Sequence, residues 1–311
     1  MMQLRVISPA ERSGAVIDLL TDECGAVAIT STDSSDGTIV TADIARECAG
    51  QLLDRLRRQG FLDDGMVSLT PLDTAIGSLA KRAEDNAPGE GADALIWDDL
   101  AARTGEDSTL TWTFLIFMVL ATTLAAIGVV NDSQITVVGA MVIGPEFGPL
   151  AGLAVALLRR QADIARQAGI ALVAGFVLAI TATALLSLLG VAAGLFDASN
   201  LSGQHGGTDF IYHPGWFSLI TALVAGAAGM LSLTSSKSSA LVGVFISVTT
   251  IPAAGNAAVA AVLGKWHIAA ESMLQLGINL VGIVVAGVLT LLLLKRIQGR
   301  RSPEEEAEHV A

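Results

Sequence analysis

From residue 109 to residue 294 the chain carries only six acids and five bases, set in almost unbroken apolar sequence. A water-soluble fold cannot hide a stretch of that size, because a soluble domain averages about 25% charged residues. In a bilayer the same composition is what lipid-facing helices require. Residues 1–108 are the opposite case, with 20 of the 30 acids and 9 of the 18 bases. The overall values, 15% charged residues and a mean hydropathy of +0.62, average over these two unlike parts.

The apolar part divides into six segments long enough to cross a membrane, since a spanning helix needs about 20 residues. They are 109–130, 134–158, 168–195, 216–234, 238–263 and 273–294. The second is interrupted by Gly144, Pro145, Gly148 and Pro149, and the fifth by Pro252 and Gly255. Basic residues orient the set. Arg159, Arg160 and Arg166 follow the second segment, Lys237 the fourth, and Lys295, Arg296, Arg300 and Arg301 the sixth. With six crossings all of these face the cytosol, and only Lys265 falls on the other side. Were the two interrupted segments re-entrant, four crossings would remain and Lys237 would lie outside.

The interrupted segments resemble one another. VGAMVIGPEFGPLAGLA begins at Val138 and VGVFISVTTIPAAGNA at Val242. Their leading glycines are 104 residues apart and the prolines 149 and 252 are 103 apart. Each unit then holds three crossings, the middle one broken, and an odd number of crossings inverts the second unit. Corresponding broken helices in inverted repeats point to a transporter with its site near the midplane. Proline removes an N–H and displaces a carbonyl, so such breaks survive in hydrocarbon only inside protein or along a cavity. The other reading is a pair of kinks that aid tight packing.

Glu146 falls near the centre of the second segment, where a carboxylate is expensive and faces the bundle interior. It either takes part in binding a proton, cation or substrate group, or hydrogen-bonds backbone at a wetter break. The candidate binding set is Glu146 with Pro149, Thr249, Thr250, Pro252, Asn256 and Asn279; for Thr and Asn in spans, interhelical hydrogen bonding is the competing role. Asn131, Asp132 and Ser133 are expected to cap the second segment, and Ser235–Ser239 to form a turn. His205, Asp209 and His213 lie in a Gly-rich loop that is read as flexible rather than as a metal site. No P-loop, dinucleotide, zincin or nucleophile-elbow motif occurs, so the expectation is a non-enzyme without metal or cofactor.

The N-terminal part reads as strand, helix, strand, strand, helix, strand, with strands at 4–8, 25–30, 38–42 and 66–70 and helices at 10–22 and 44–61. This is the split βαβ, ferredoxin-like order. The N-terminus has no apolar run of a cleaved signal, so this domain is expected to stay in the cytosol. Its acids argue against nucleic acid as a partner. Cys24 and Cys48 form no spaced motif and read as buried thiols. The resulting organisation is a ferredoxin-like domain at 1–82, an acidic linker at 83–108 with a short helix near Trp97–Ala102, a transmembrane domain at 109–297 and a charged tail at 298–311. The fold class is an α-helical polytopic membrane bundle with about six spans, two of them broken, in an inverted 3+3 repeat behind an α+β head.

The strings NDSQITVVGAMVIGPEFGPL (131–150), LVGVFISVTTIPAAG (241–255) and LGINLVGIVVAG (276–287) resemble a family of uncharacterised bacterial hydrophobic-domain membrane proteins, domain of unknown function 389. The resemblance implies a multi-pass protein of a prokaryotic cytoplasmic membrane with no assigned reaction; many members carry a comparable soluble N-terminal domain. Two functions fit. One is a transporter or channel for a small solute or ion, with the cytosolic domain as a regulatory ligand-binding unit. The other is a homo-oligomeric sensor or scaffold whose cytosolic domain binds a small metabolite.

Overall fold

The computed structural model describes residues 1–22, 25–72, 74–87, 96–197, 215–234 and 242–308, with the backbone alone over 242–249 and 298–308. Cys24, His205, Asp209, His213, Lys237 and the 235–239 turn lie outside the described residues. The chain forms two compact units, one centred on residues 1–99 and one on 100–298.

In the first unit, β1 (Met2–Ser8), β2 (Ala26–Ser34), β3 (Gly37–Ile44) and β4 (Met66–Pro71) make an antiparallel sheet of order β2-β3-β1-β4. With α1 (Ser13–Thr21) and α2 (Arg46–Arg58) this is the split βαβ order read from the sequence. Strand alternation produces it. Met2, Leu4, Val6 and Ser8 of β1 and Thr38, Val40, Ala42 and Ile44 of β3 point to one buried face. Against that face, α1 supplies Val16, Leu19 and Leu20, and α2 supplies Cys48, Ala49, Leu52, Leu53 and Leu56. Arg12 ties the loop after α2 to α1: it donates to Asp64 at 3.0 Å and to the Gln59 carbonyl, and sits 4.3 Å over the Phe61 ring. A further helix, α3 (Ser78–Asp85), follows the sheet.

The second unit begins within α4 (Trp97–Asp107) and continues through α5 (Trp112–Val130), α6 (Gln134–Ile143), α7 (Phe147–Arg159), α8 (Ala162–Ala192), α9 (Trp216–Thr234), α10 (Val242–Val262) and α11 (Trp266–Glu308). Its surface is apolar: Ile135, Val173, Leu189, Phe217, Val224 and Val281 are all exposed. Its interior is built largely from small residues, among them Ala121, Ala125, Ala171, Ala179, Ala222, Ala253 and Ala254, around Phe114, Met118, Leu150 and Ile251. Large apolar groups outside and small ones inside is the arrangement of helices packed in lipid, where close backbone approach replaces hydrophobic collapse. Among the described residues four helices are long and apolar enough to span: Trp112–Val130, Ala162–Ala192, Trp216–Thr234 and Trp266–Ile297. The α6–α7 pair makes a fifth if it counts as one bent span.

Helix directions follow from the packing. At the turn after α5, Gly128 lies against Val137, so α6 returns antiparallel to α5. α10 runs parallel to α5. Ile251 shares a cluster with Met118 and Ala121, a methyl at Gly255 would stand 2.8 Å from the Ala126 amide nitrogen, and Val259 shares a cluster with Val129. α6 and α10 are therefore antiparallel to each other.

The two interrupted segments differ. Between α6 and α7 the chain bends by 53°. The fifth segment, expected to break at Pro252 and Gly255, is one continuous helix with Pro252 inside it. The residues explain the difference. Gly144, Pro145, Gly148 and Pro149 crowd two prolines and two glycines into six positions, whereas Pro252 stands alone and removes a single N–H. Gly255 acts in contact rather than as a breaker, lying against the α5 backbone at Thr122 and Ala126.

Candidate functional site

The break is made by the chain itself. Gly144 ends α6 in an extended conformation, and Glu146 caps the start of α7. The Glu146 carbonyl accepts the first bond of α7, from the Leu150 amide at 3.2 Å. Pro149 falls in the first turn of α7, where a missing N–H leaves no donor stranded. The Glu146 side chain does not cap its own helix. It is fully buried and accepts a 2.6 Å hydrogen bond from Thr250 Oγ1 of α10, itself fully buried. A bond of this kind between buried polar side chains ties two membrane helices together.

Two glycines let α7 lie close to the α4–α5 junction. A methyl at Gly148 would stand 2.8 Å from Asp107 Cβ, and one at Gly152 would stand 2.8 Å from the Thr104 carbonyl oxygen. Beside this contact lies a half-open cavity of about 450 Å³. Its lining mixes apolar residues, Phe114, Phe117, Pro145, Phe147 and Leu233, with polar ones, Glu106, Asp107, Thr109, Thr111 and Thr113. Burial pushes the Asp107 carboxyl above the ordinary carboxylate range; Glu106 adds to the rise and Arg103 opposes it.

The remaining sequence candidates lie elsewhere. Asn256, on α10, donates to Ser272 Oγ of α11 at 2.8 Å. Asn279 of α11 accepts from Ser218 of α9 at 3.0 Å, and Ser218 accepts from Gln275 at 3.2 Å. These bonds join α9, α10 and α11 in a second buried polar cluster, the interhelical role that Asn and Thr commonly take in membranes. Pro252 is buried within α10, and the side chain of Thr249 lies outside the described residues. Of the candidate set, then, the structure brings together Glu146 and Thr250. Ser218, Ser272 and Gln275 did not figure in the sequence reading. Their signal was present: Ser272, Gln275 and Asn279 recur at helical spacing along one side of an apolar segment. The expected cap is found, with Ser133 Oγ accepting from the Thr136 amide at the start of α6. Among the described residues no group of three or more His, Cys, Asp or Glu is placed to hold a metal ion.

Residues 141–285 match the family model described as Domain of unknown function (DUF389), the family that the sequence resembles. An uncharacterized protein of Methanocaldococcus jannaschii is 25% identical over 169 residues, which is 54% of this chain and 50% of that protein. The chain thus spans about half the length of the curated relative it matches. No solved structure matches the chain.

Proposed function

We propose that the protein is a transporter or channel for a small solute or ion, built from two inverted three-crossing units, with the N-terminal domain as its cytosolic regulatory unit. The observation that carries this reading is the buried bond between Glu146 and Thr250, two residues 104 positions apart on the broken segment and on α10.

The same offset recurs through the bundle. α5 and α9 start at Trp112 and Trp216 and both run for 19 residues. α8 and α11 start at Ala162 and Trp266. The turns before them carry left-handed residues at equivalent places, Arg160 at φ 56° and Gly264 at φ 73°. Those turns close with matching bonds, Gln161 N to Ala156 O at 2.9 Å and Lys265 N to Ala260 O at 2.8 Å. The antiparallel course of α6 and α10 is what inversion demands. In two units related by a two-fold axis, only residues on the axis touch their own counterparts. Glu146 and Thr250 meet that condition, so in this reading they mark the axis between the units. Transporters built this way hold their cargo at the repeat interface. α10, 21 residues long, is the fifth crossing in chain order and brings the total to six, which leaves both termini in the cytosol.

Flux into proteoliposomes, assayed over a panel of ions and small solutes, tests this. The wild-type protein is expected to move at least one of them, with Glu146→Gln and Thr250→Val each slowing it by about tenfold or more, the effect of about 1.4 kcal/mol. A wild type no faster than empty liposomes across the panel would sink the reading and leave the oligomeric sensor or scaffold.

A further inference from the structure

The cavity at the α4–α5 junction has a lining that selects for charge and shape. Two carboxylates, Glu106 and Asp107, line it, and among the described lining residues there is no basic group. Arg103, a cation, acts on Asp107 from outside the lining, but the lining itself favours a cation over an anion. The threonine hydroxyls 109, 111 and 113 can take over hydrogen bonds that a cation gives up with its water. Three phenyl side chains, Phe114, Phe117 and Phe147, also line the space; aromatic rings attract cations, and their area suits an apolar body. At about 450 Å³ the space is of small-molecule size, far larger than a bare metal ion needs.

The cavity also has a place in the bundle. Pro145 and Phe147 line it, and the buried Glu146 lies between them in sequence with its carboxyl turned to Thr250. The titratable groups of the lining are Glu106 and Asp107, with Arg103 acting on Asp107, and the break beside it carries Glu146.

We propose that this cavity binds an organic cation, an amine carrying an apolar body, and forms the approach to Glu146. Only the second half of this rests on the transport reading; binding in the cavity does not require it. The ammonium group sits by Asp107 and Glu106 and the apolar body lies against the phenyl rings.

The test uses the full-length protein in lipid nanodiscs titrated calorimetrically with benzyltrimethylammonium, against benzyl alcohol as the neutral probe and empty nanodiscs as the blank. The expected result is saturable binding of the cation, with the neutral probe at least about tenfold weaker, a difference within the range of a desolvated cation–π contact. Asp107→Asn is expected to weaken the cation by a similar factor while leaving the neutral probe unchanged. Asp107 is exposed enough to be replaced without disturbing the core. Phe117→Ala is expected to weaken both probes. Equal affinity for the two probes, or a cation affinity indifferent to Asp107→Asn, overturns the proposal. The two readings fail separately. Flux of other solutes by a protein that does not bind the cation removes this site and spares transport. Binding that depends on Asp107, in a protein with no flux of any solute, keeps the site and removes transport.

Discussion

The Glu146 carboxyl group is fully buried, and Thr250 is a hydroxyl that the neighbouring helix turns toward it. Losing that donor removes a buried hydrogen bond, and such side-chain bonds between membrane helices are worth about 0.6–2 kcal/mol. Thr250→Val is therefore expected to lower the thermal midpoint in nanodiscs, and to have a smaller effect on a Glu146→Gln background, where the carboxyl acceptor is already replaced. A double-mutant cycle reads this directly; strict additivity of the two substitutions would show that the contact carries no energy. Glu146 was legible in the sequence because a lone acid amid apolar residues has few explanations. Thr250 was not separable from Thr249, since which of two adjacent threonines faces inward depends on the helix phase through Pro252. Asn256 and Asn279 were read as candidates with the same ambiguity, and only the packing of α9, α10 and α11 assigns them to the second cluster.

Proline and glycine content separates the broken segment from the continuous one. Two prolines flanked by two glycines bend α6 from α7, while one proline leaves α10 intact. The sequence reading placed both breaks at their prolines and glycines. It missed that a single internal proline costs one hydrogen bond, which neighbouring helices can make good in a tightly packed bundle. The sheet of the N-terminal domain, by contrast, was readable almost to its ends, because alternation on β1 and β3 and the 3.6-residue face of α2 are strong local signals. For α10 the decisive feature is Gly255, which admits the α5 backbone. Gly255→Val would place carbon within reach of the Ala126 amide and push the two helices apart. Overpacking of this kind costs about 1–3 kcal/mol, so the variant is expected to melt earlier than wild type in the same nanodiscs. An unchanged midpoint would mean that α5 and α10 are not in close contact.

At the level of the whole chain, Trp112 and Trp216 begin α5 and α9, two helices of 19 residues, and are 82% and 81% exposed, as interfacial tryptophans should be. If α5, the bent α6–α7 pair and α8 each cross once, the two tryptophans lie on opposite membrane faces. If the bent pair re-enters instead, they share one face. Four long apolar helices, at the segments 109–130, 168–195, 216–234 and 273–294, were evident from composition, but whether a bent segment crosses or returns depends on the surrounding helices and cannot be read from its residues. The direct measurement is labelling of Trp112→Cys and Trp216→Cys, each in a background without Cys24 and Cys48, by a membrane-impermeant thiol reagent applied to intact cells and to inverted vesicles. The account predicts that residue 112 is modified only in inverted vesicles and residue 216 only in intact cells. Modification of both from the same side would contradict the inverted architecture and the axis at Glu146 and Thr250 with it.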